Sequence, residues 1–236
     1  MRDKSGRKSN FSGYINEVLE VLPQYLANEN NKKFEDYRLR AIHRAIMTYN
    51  LAVASAHYSE GGSKEKVKEH LLECIRVFEN HFKWIPGKTV YQSMIDPIAL
   101  AILTDIDLSD FKRITKVLER DRVQDKLLDY LIKYKQPDWQ GNSDGFIQKE
   151  PYEAISKAID ETNSESGIKL IQNYLSPKVW YHGQRDSGWH NAHTNKNLNT
   201  YFGYWSWEAA ALVKAKGWDD EKLKNSDYYP YDAVHW

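Results

Sequence analysis

The first 135 residues contain apolar positions that recur every three or four residues, which is the spacing of one face of an α-helix. Six such runs cover residues 11–26, 34–56, 67–82, 94–106, 111–118 and 123–134. The fourth run is apolar nearly all round, which is typical of a central buried helix. Ser63 follows a Gly-Gly turn and is expected to cap the third helix. Since no alternating segment rich in Val, Ile and Thr indicates a strand, the sequence predicts an all-α fold.

The helical spacing is interrupted at residues 136–149, where Pro, Gly, Asn, Asp and Ser surround a single Trp. We expect this segment to separate an N-terminal half, 1–135, from a C-terminal half, 145–236. In the second half the helical spacing returns three times, over residues 152–159, 168–175 and about 200–216. Gly217 is expected to end the last of these helices. The sequence therefore predicts a compact bundle of about eight to ten helices, formed by two helical halves that pack together.

Composition and charge narrow the function classes. Lys plus Arg and Asp plus Glu are both 33, so the formal net charge is zero. A protein dedicated to nucleic-acid binding usually carries a basic excess, and we expect no direct nucleic-acid binding here. Cys74 is the only cysteine, which excludes an intramolecular disulfide. Because no apolar run has the length of a signal peptide or a membrane span, we expect a cytoplasmic protein without membrane association.

Three side chains in the second half could in principle carry chemistry. His190 and His193 have a spacing that would allow them to share a metal ion on a helix, but no HExxH motif accompanies them. Glu208 shares a helical face with large apolar residues, so it is expected to be buried and to need hydrogen-bond donors. A general acid is one interpretation of Glu208, and a structural carboxylate is the favoured one, because no second catalytic carboxylate is placed beside it. We therefore expect no catalytic residue, no metal and no cofactor.

The last third of the chain carries a family resemblance. The run Tyr201-Phe-Gly-Tyr-Trp-Ser-Trp-Glu and the later run Tyr228-Tyr-Pro-Tyr-Asp resemble the C-terminal signature of PoNi-type immunity proteins. Trp180-Tyr181 and Gly188-Trp189 resemble the pieces that precede this signature. PoNi proteins are the partners of PoNe DNase toxins in bacterial polymorphic toxin systems. The resemblance implies an all-helical, non-catalytic protein that binds and neutralises a cognate DNase toxin and so protects producer and kin cells.

Signature residues of such a family are expected to form the scaffold, because immunity proteins diverge where they contact their toxins. The residues assigned this structural role are Gly203, Trp205, Glu208, Tyr229, Pro230, Tyr231 and Asp232. We expect some of them to form one polar network that fixes the C-terminal tail to the last helix. One departure from the family pattern is the pair His190 and His193, which occupies a loop whose role stays open.

A DNase presents a basic surface to its substrate, so an inhibitor that covers this surface benefits from clustered acids. Residues 105–110, 138–144 and 219–221 each contain two or more acids. We favour the second group as the partner-binding site, with Asp138 and Asp144 as acids around an exposed Trp139 anchor. Two other functions remain as alternatives. One is a helical adaptor with a partner other than a toxin, and the other is a metal-assisted hydrolase that uses His190, His193 and Glu208.

Overall fold

The computed structural model describes residues 1–3, 10–195 and 197–236. Those residues contain no strand and ten α-helices, so the all-α fold class is confirmed. The helices are α1 (Phe11–Leu26), α2 (Asp36–Glu60), α3 (Lys64–His81), α4 (Lys88–Leu103), α5 (Leu108–Arg120), α6 (Lys126–Lys135), α7 (Ser156–Asp160), α8 (Ser164–Tyr174), α9 (Trp207–Lys216) and α10 (Tyr231–Val234). Short 3₁₀ turns cover Tyr152–Ile155, Ala192–Thr194 and Glu221–Leu223, and a π-helical turn covers Pro177–Tyr181.

The helices of the first half pack as consecutive neighbours. Helix α2 lies between α1 and α3, and α3 also contacts α4 and α5. Gly61 ends α2 with φ 100°, and the Ser63 side chain then accepts a hydrogen bond from Lys66 N at the start of α3, as the sequence predicts. Residues of α2 with small side chains, such as Ala52 and Ala56, are buried, which allows close approach of neighbouring helices.

Helix α4 joins the two halves of the molecule. Its side chains are buried almost all round from Tyr91 onward, and the helix packs against α3 and α6 on the N-terminal side and against α9 of the second half. The apolar run predicted a buried helix at this position, and that prediction is confirmed. The division of the chain at 136–149 stays a prediction.

The C-terminal half differs from expectation at one element. Residues 200–206 are not helical, and α9 begins only at Trp207. Gly203 has φ 101°, which a right-handed helix cannot contain, and Ser206 N donates a hydrogen bond to Tyr228 O instead of to a helical carbonyl. The aromatic residues of this segment have a helical spacing in the sequence although the chain there is not helical. Gly217 does end α9, with φ 63°.

No helix among the described residues has both the length and the apolar character that a membrane span requires.

Candidate functional site

Glu208 lies in the first turn of α9 and is buried. Its Oε1 accepts hydrogen bonds from Tyr174 OH at 2.7 Å, Trp180 Nε1 at 2.8 Å and Ser206 Oγ at 2.8 Å. These donors come from the end of α8, from the π-helical turn and from the residue before α9. Burial raises the pKa of Glu208, and the three donors oppose that shift. Glu208 therefore ties three separate segments of the second half together.

Hydrogen bonds hold the non-helical segment 200–206 against the end of α2. Trp205 Nε1 donates to Ser59 Oγ at 2.8 Å, and that hydroxyl lies 2.9 Å from Phe202 O, to which it can donate. Gly203 has no room for a side chain, because a Cβ built there would overlap Ser59 Oγ and the Trp205 ring. The signature residues Gly203 and Trp205 thus bring the aromatic segment onto the N-terminal half.

The C-terminal tail is held by a different set of contacts. Tyr229 OH donates to Asp220 Oδ2 at 2.8 Å, and His235 Nε2 lies 2.9 Å from Asp220 Oδ1. Tyr231 OH donates to Glu221 Oε2 at 2.7 Å. Asp232 accepts from Arg2 Nε at 2.7 Å, which ties the tail to the other end of the chain. Pro230 is buried immediately before α10.

The single polar network expected between the tail and the last helix is therefore replaced by two. Glu208 faces donors of α8 and the π-helical turn, whereas the tail hydroxyls reach Asp220 and Glu221 beyond the end of α9. A direct link between the tail and the start of α9 is the backbone hydrogen bond from Ser206 N to Tyr228 O, at 2.8 Å. Which donors reach a buried carboxylate depends on the packing of distant segments, and the sequence pattern did not contain this information.

A cavity of about 650 Å³ lies beside Glu208. It is bounded by α2, α4, the start of α9 and the loop that carries His190. Asp96 of α4 and Glu208 contribute carboxylates to its wall, and aromatic rings form much of the remainder. Burial, together with the neighbouring charge of Glu208, raises the pKa of Asp96 well above its ordinary value. Sequence reasoning missed Asp96, because a single acid in an apolar helix gives no pattern.

The two histidines of the loop that follows the π-helical turn have different surroundings. His190 lies in the cavity wall, and its ring is tilted by 30° against the Tyr181 ring at a centroid distance of 4.4 Å. Its Nε2 is buried and has no hydrogen-bond partner in the described parts of the chain. His193 Nδ1 instead lies 2.8 Å from Tyr204 OH. Among residues 1–3, 10–195 and 197–236, no group of three His, Cys, Asp or Glu side chains could hold a metal ion.

The segment 138–144 has a fixed conformation. Trp139 is only 8% exposed, and its Nε1 donates to Asp129 Oδ1 at 2.8 Å. The expectation that Trp139 is an exposed anchor is therefore wrong, because the indole fills space under the loop and satisfies a buried carboxylate of α6. Asp138 and Asp144 are exposed as expected, and Asp138 lies 3.7 Å from Lys112 Nζ.

Two carboxylates, at the N-cap of α6 and one helical turn later, hold this segment and the residues that follow it up to Ile147. Asp129 also accepts from Ser143 N at 2.9 Å. Asp125 caps the helix through Leu127 N and Leu128 N, and accepts from Ile147 N at 3.0 Å. The exposed acids therefore project from a rigid loop, and the sequence signal that could have shown this is the i, i+4 spacing of Asp125 and Asp129.

Several acids of the other two groups make structural contacts. Asp105 pairs with Lys135 at 2.8 Å, and Asp110 pairs with Arg113 at 2.9 Å. Asp220 is buried under the tail.

Comparisons with known proteins agree with this architecture. The family model described as PoNe immunity protein (PoNi), N-terminal, matches residues 17–116, and the one described as PoNe immunity proteins (PoNi), C-terminal, matches residues 123–233. The crystal structure of protein PA2201 from Pseudomonas aeruginosa is similar with a TM-score of 0.70 and 16% identity, covering 97% of this chain and 89% of that one. That likeness concerns the fold alone. No curated protein matches the sequence significantly. Since the two family models together account for nearly the whole chain, the resemblance seen in the signature residues is confirmed, and the chain belongs to the PoNe immunity protein (PoNi) family.

Proposed function

We propose that this protein binds a cognate PoNe DNase toxin directly in the cytoplasm and thereby neutralises it without catalysis. The observation that carries the proposal is the match of both PoNi family models, one to each half of the chain. The balanced charge of the chain also supports it, because a protein that protected DNA by covering it would need a basic surface. The toxin would carry such a surface, and the immunity protein would meet it with local acids.

We propose Asp138 and Asp144 as part of the toxin contact. Both are exposed on a loop whose backbone is fixed by Asp125 and Asp129. Few residues of this loop would therefore lose conformational freedom on binding. Acids at the rim of an interface mainly accelerate encounter with a basic partner and set its salt dependence. Trp139 would support the loop from its buried side.

Co-expression with the toxin encoded beside its gene tests the function. We expect survival of cells that otherwise die, together with a complex that co-purifies and elutes as one species in size-exclusion chromatography. Survival without any complex would contradict direct binding and indicate indirect protection. Continued killing with both proteins expressed would contradict the immunity function for that pair.

The Asp138→Lys/Asp144→Lys double variant tests the proposed contact. We expect its association rate with the toxin to fall by about tenfold or more at low salt, because the introduced lysines would repel the basic toxin. The rate is measured by surface plasmon resonance at several salt concentrations. Glu17→Lys/Glu20→Lys on the exposed face of α1 makes the same change in net charge and is the control. An equal loss in both variants would show that only net charge matters, and the loop would then lose its proposed role.

A further inference from the structure

The cavity beside Glu208 has a one-sided charge distribution. Asp96 and Glu208 lie in its wall, and no Lys or Arg of the described parts of the chain does. The two acids are close enough for Glu208 to raise the pKa of Asp96. A cation bound beside these two acids would remove the repulsion that raises the pKa of Asp96, and low-dielectric walls strengthen this attraction.

Asp96 is the unusual member of this pair. Glu208 has three donors, whereas Asp96 receives no hydrogen bond from any residue within 1–3, 10–195 and 197–236. Asp96 is only partly buried and lines the cavity, so a ligand there can reach its carboxylate. His190 Nε2, in the wall of the same cavity, is a second polar atom without a partner. An accessible carboxylate without a donor and a buried ring nitrogen without a partner offer a ligand two polar contacts in one cavity.

The remaining wall is suited to a cation. Indole rings of Trp180, Trp189, Trp205 and Trp207 lie in it, and the faces of such rings attract guanidinium and ammonium groups. Gln92 and Gln184 form an ordered polar edge, in which Gln92 Nε2 donates to Gln184 Oε1 at 3.1 Å and Gln184 Nε2 donates to Tyr152 OH at 3.1 Å. Because these groups are already oriented, little reorganisation would accompany binding.

We propose that this cavity is a binding site for a guanidinium or primary ammonium group, with Asp96 as its ion-pair partner and the indole rings around it. The volume of about 650 Å³ lies in the range of small-molecule sites and exceeds what one basic side chain fills. The group can therefore come from a free amine of low molecular weight or from an Arg or Lys side chain of a bound protein. The site belongs to the isolated chain and does not depend on the proposed immunity function.

Titration of the purified protein with arginine amide and lysine amide tests the proposal. The matched neutral ligands are citrulline amide and norleucine amide, which keep the shape and lack the charge. We expect saturable shifts of the Trp indole N–H resonances with the charged ligands only. Asp96→Asn, which keeps the size of the side chain, should weaken their binding by about 10–100-fold, because one charge-assisted contact is lost. Asp186→Asn, at a residue outside the cavity wall, should bind like the parent protein.

Three results would overturn the proposal. They are equal binding of neutral and charged ligands, unchanged binding by Asp96→Asn, and absence of saturable shifts up to the solubility limit of the charged ligands. A second arm separates the two sources once binding is established. Displacement of the toxin by arginine amide would assign the cavity to a basic side chain of the toxin, whereas a complex that still binds arginine amide would assign it to a free small molecule. Failure of the toxin complex to form would concern the proposed function alone, because the first arm uses the isolated chain.

Discussion

Glu208→Ala should lower the free energy of unfolding by about 3–5 kcal/mol, since three buried donors lose their shared acceptor at once. Each donor left unsatisfied costs roughly 1–3 kcal/mol, and water that enters from the cavity offsets part of that sum. The loss should be greatest in the second half of the chain, because the donors Tyr174 and Trp180 fix α8 and the π-helical turn to α9.

Glu208→Gln is the matched control for this substitution. The glutamine keeps an acceptor oxygen and the shape of the side chain, so we expect a smaller loss, of about 1 kcal/mol. Burial raises the pKa of Glu208 above its ordinary 4.5, so the folded state binds this proton more tightly than the unfolded chain does. The parent protein therefore loses stability as the pH rises above 4.5 and through the folded pKa, and the glutamine variant has no such loss at this residue. The difference between them should be largest in acid and should shrink as the pH rises.

Urea denaturation followed by tryptophan fluorescence, repeated from acid to neutral pH, measures these differences. Equal stability of the alanine and glutamine variants at every pH would show that the three hydrogen bonds contribute little. In that case Glu208 would be retained for the charge it gives to the cavity.

Helices were predictable where only one face of the helix is buried. The runs that became α1, α3 and α5 are amphipathic over three turns or more, and their spacing alone predicts them. The buried helix α4 was predictable from its continuous apolar character. The non-helical conformation of residues 200–206 was not predictable. A chain that contacts apolar surface on several sides has aromatic residues at every spacing, including the spacing of a helix. Gly203 was the one local sign of a non-helical conformation.

The site was less predictable than the fold, for a physical reason. Burial of Glu208 followed from its apolar neighbours, yet its donors Tyr174 and Trp180 lie 34 and 28 positions earlier in the chain. Trp139 has polar neighbours and was therefore expected to be exposed, whereas a carboxylate ten positions earlier, Asp129, draws its indole inward. Asp96 gave no signal, because its role is defined by the cavity that it meets. Polar contacts between distant segments decide such sites, and periodicity reports only local burial.

Gly203→Ala should have an effect as large as any single substitution in this chain, with a loss of about 3 kcal/mol or more in the free energy of unfolding. Two costs combine at this position. The φ of 101° disfavours every residue with a Cβ, and the Cβ itself would overlap Ser59 Oγ and the Trp205 ring. Since Ser59 contacts both Phe202 and Trp205, the whole segment 200–206 should shift away from α2.

Alanine substitutions at two other glycines separate the conformational cost from the cost of the steric overlap. Gly217→Ala places a Cβ in open space at φ 63°, so it reports the conformational cost alone, about 1 kcal/mol. Gly145→Ala has neither a positive φ nor a close neighbour and should leave stability unchanged within about 0.5 kcal/mol. If Gly203→Ala lost no more stability than Gly217→Ala, the contact with Ser59 would be dispensable. If it loses far more, as we expect, survival in toxin co-expression should fall with it, because less folded protein would be available to bind the toxin.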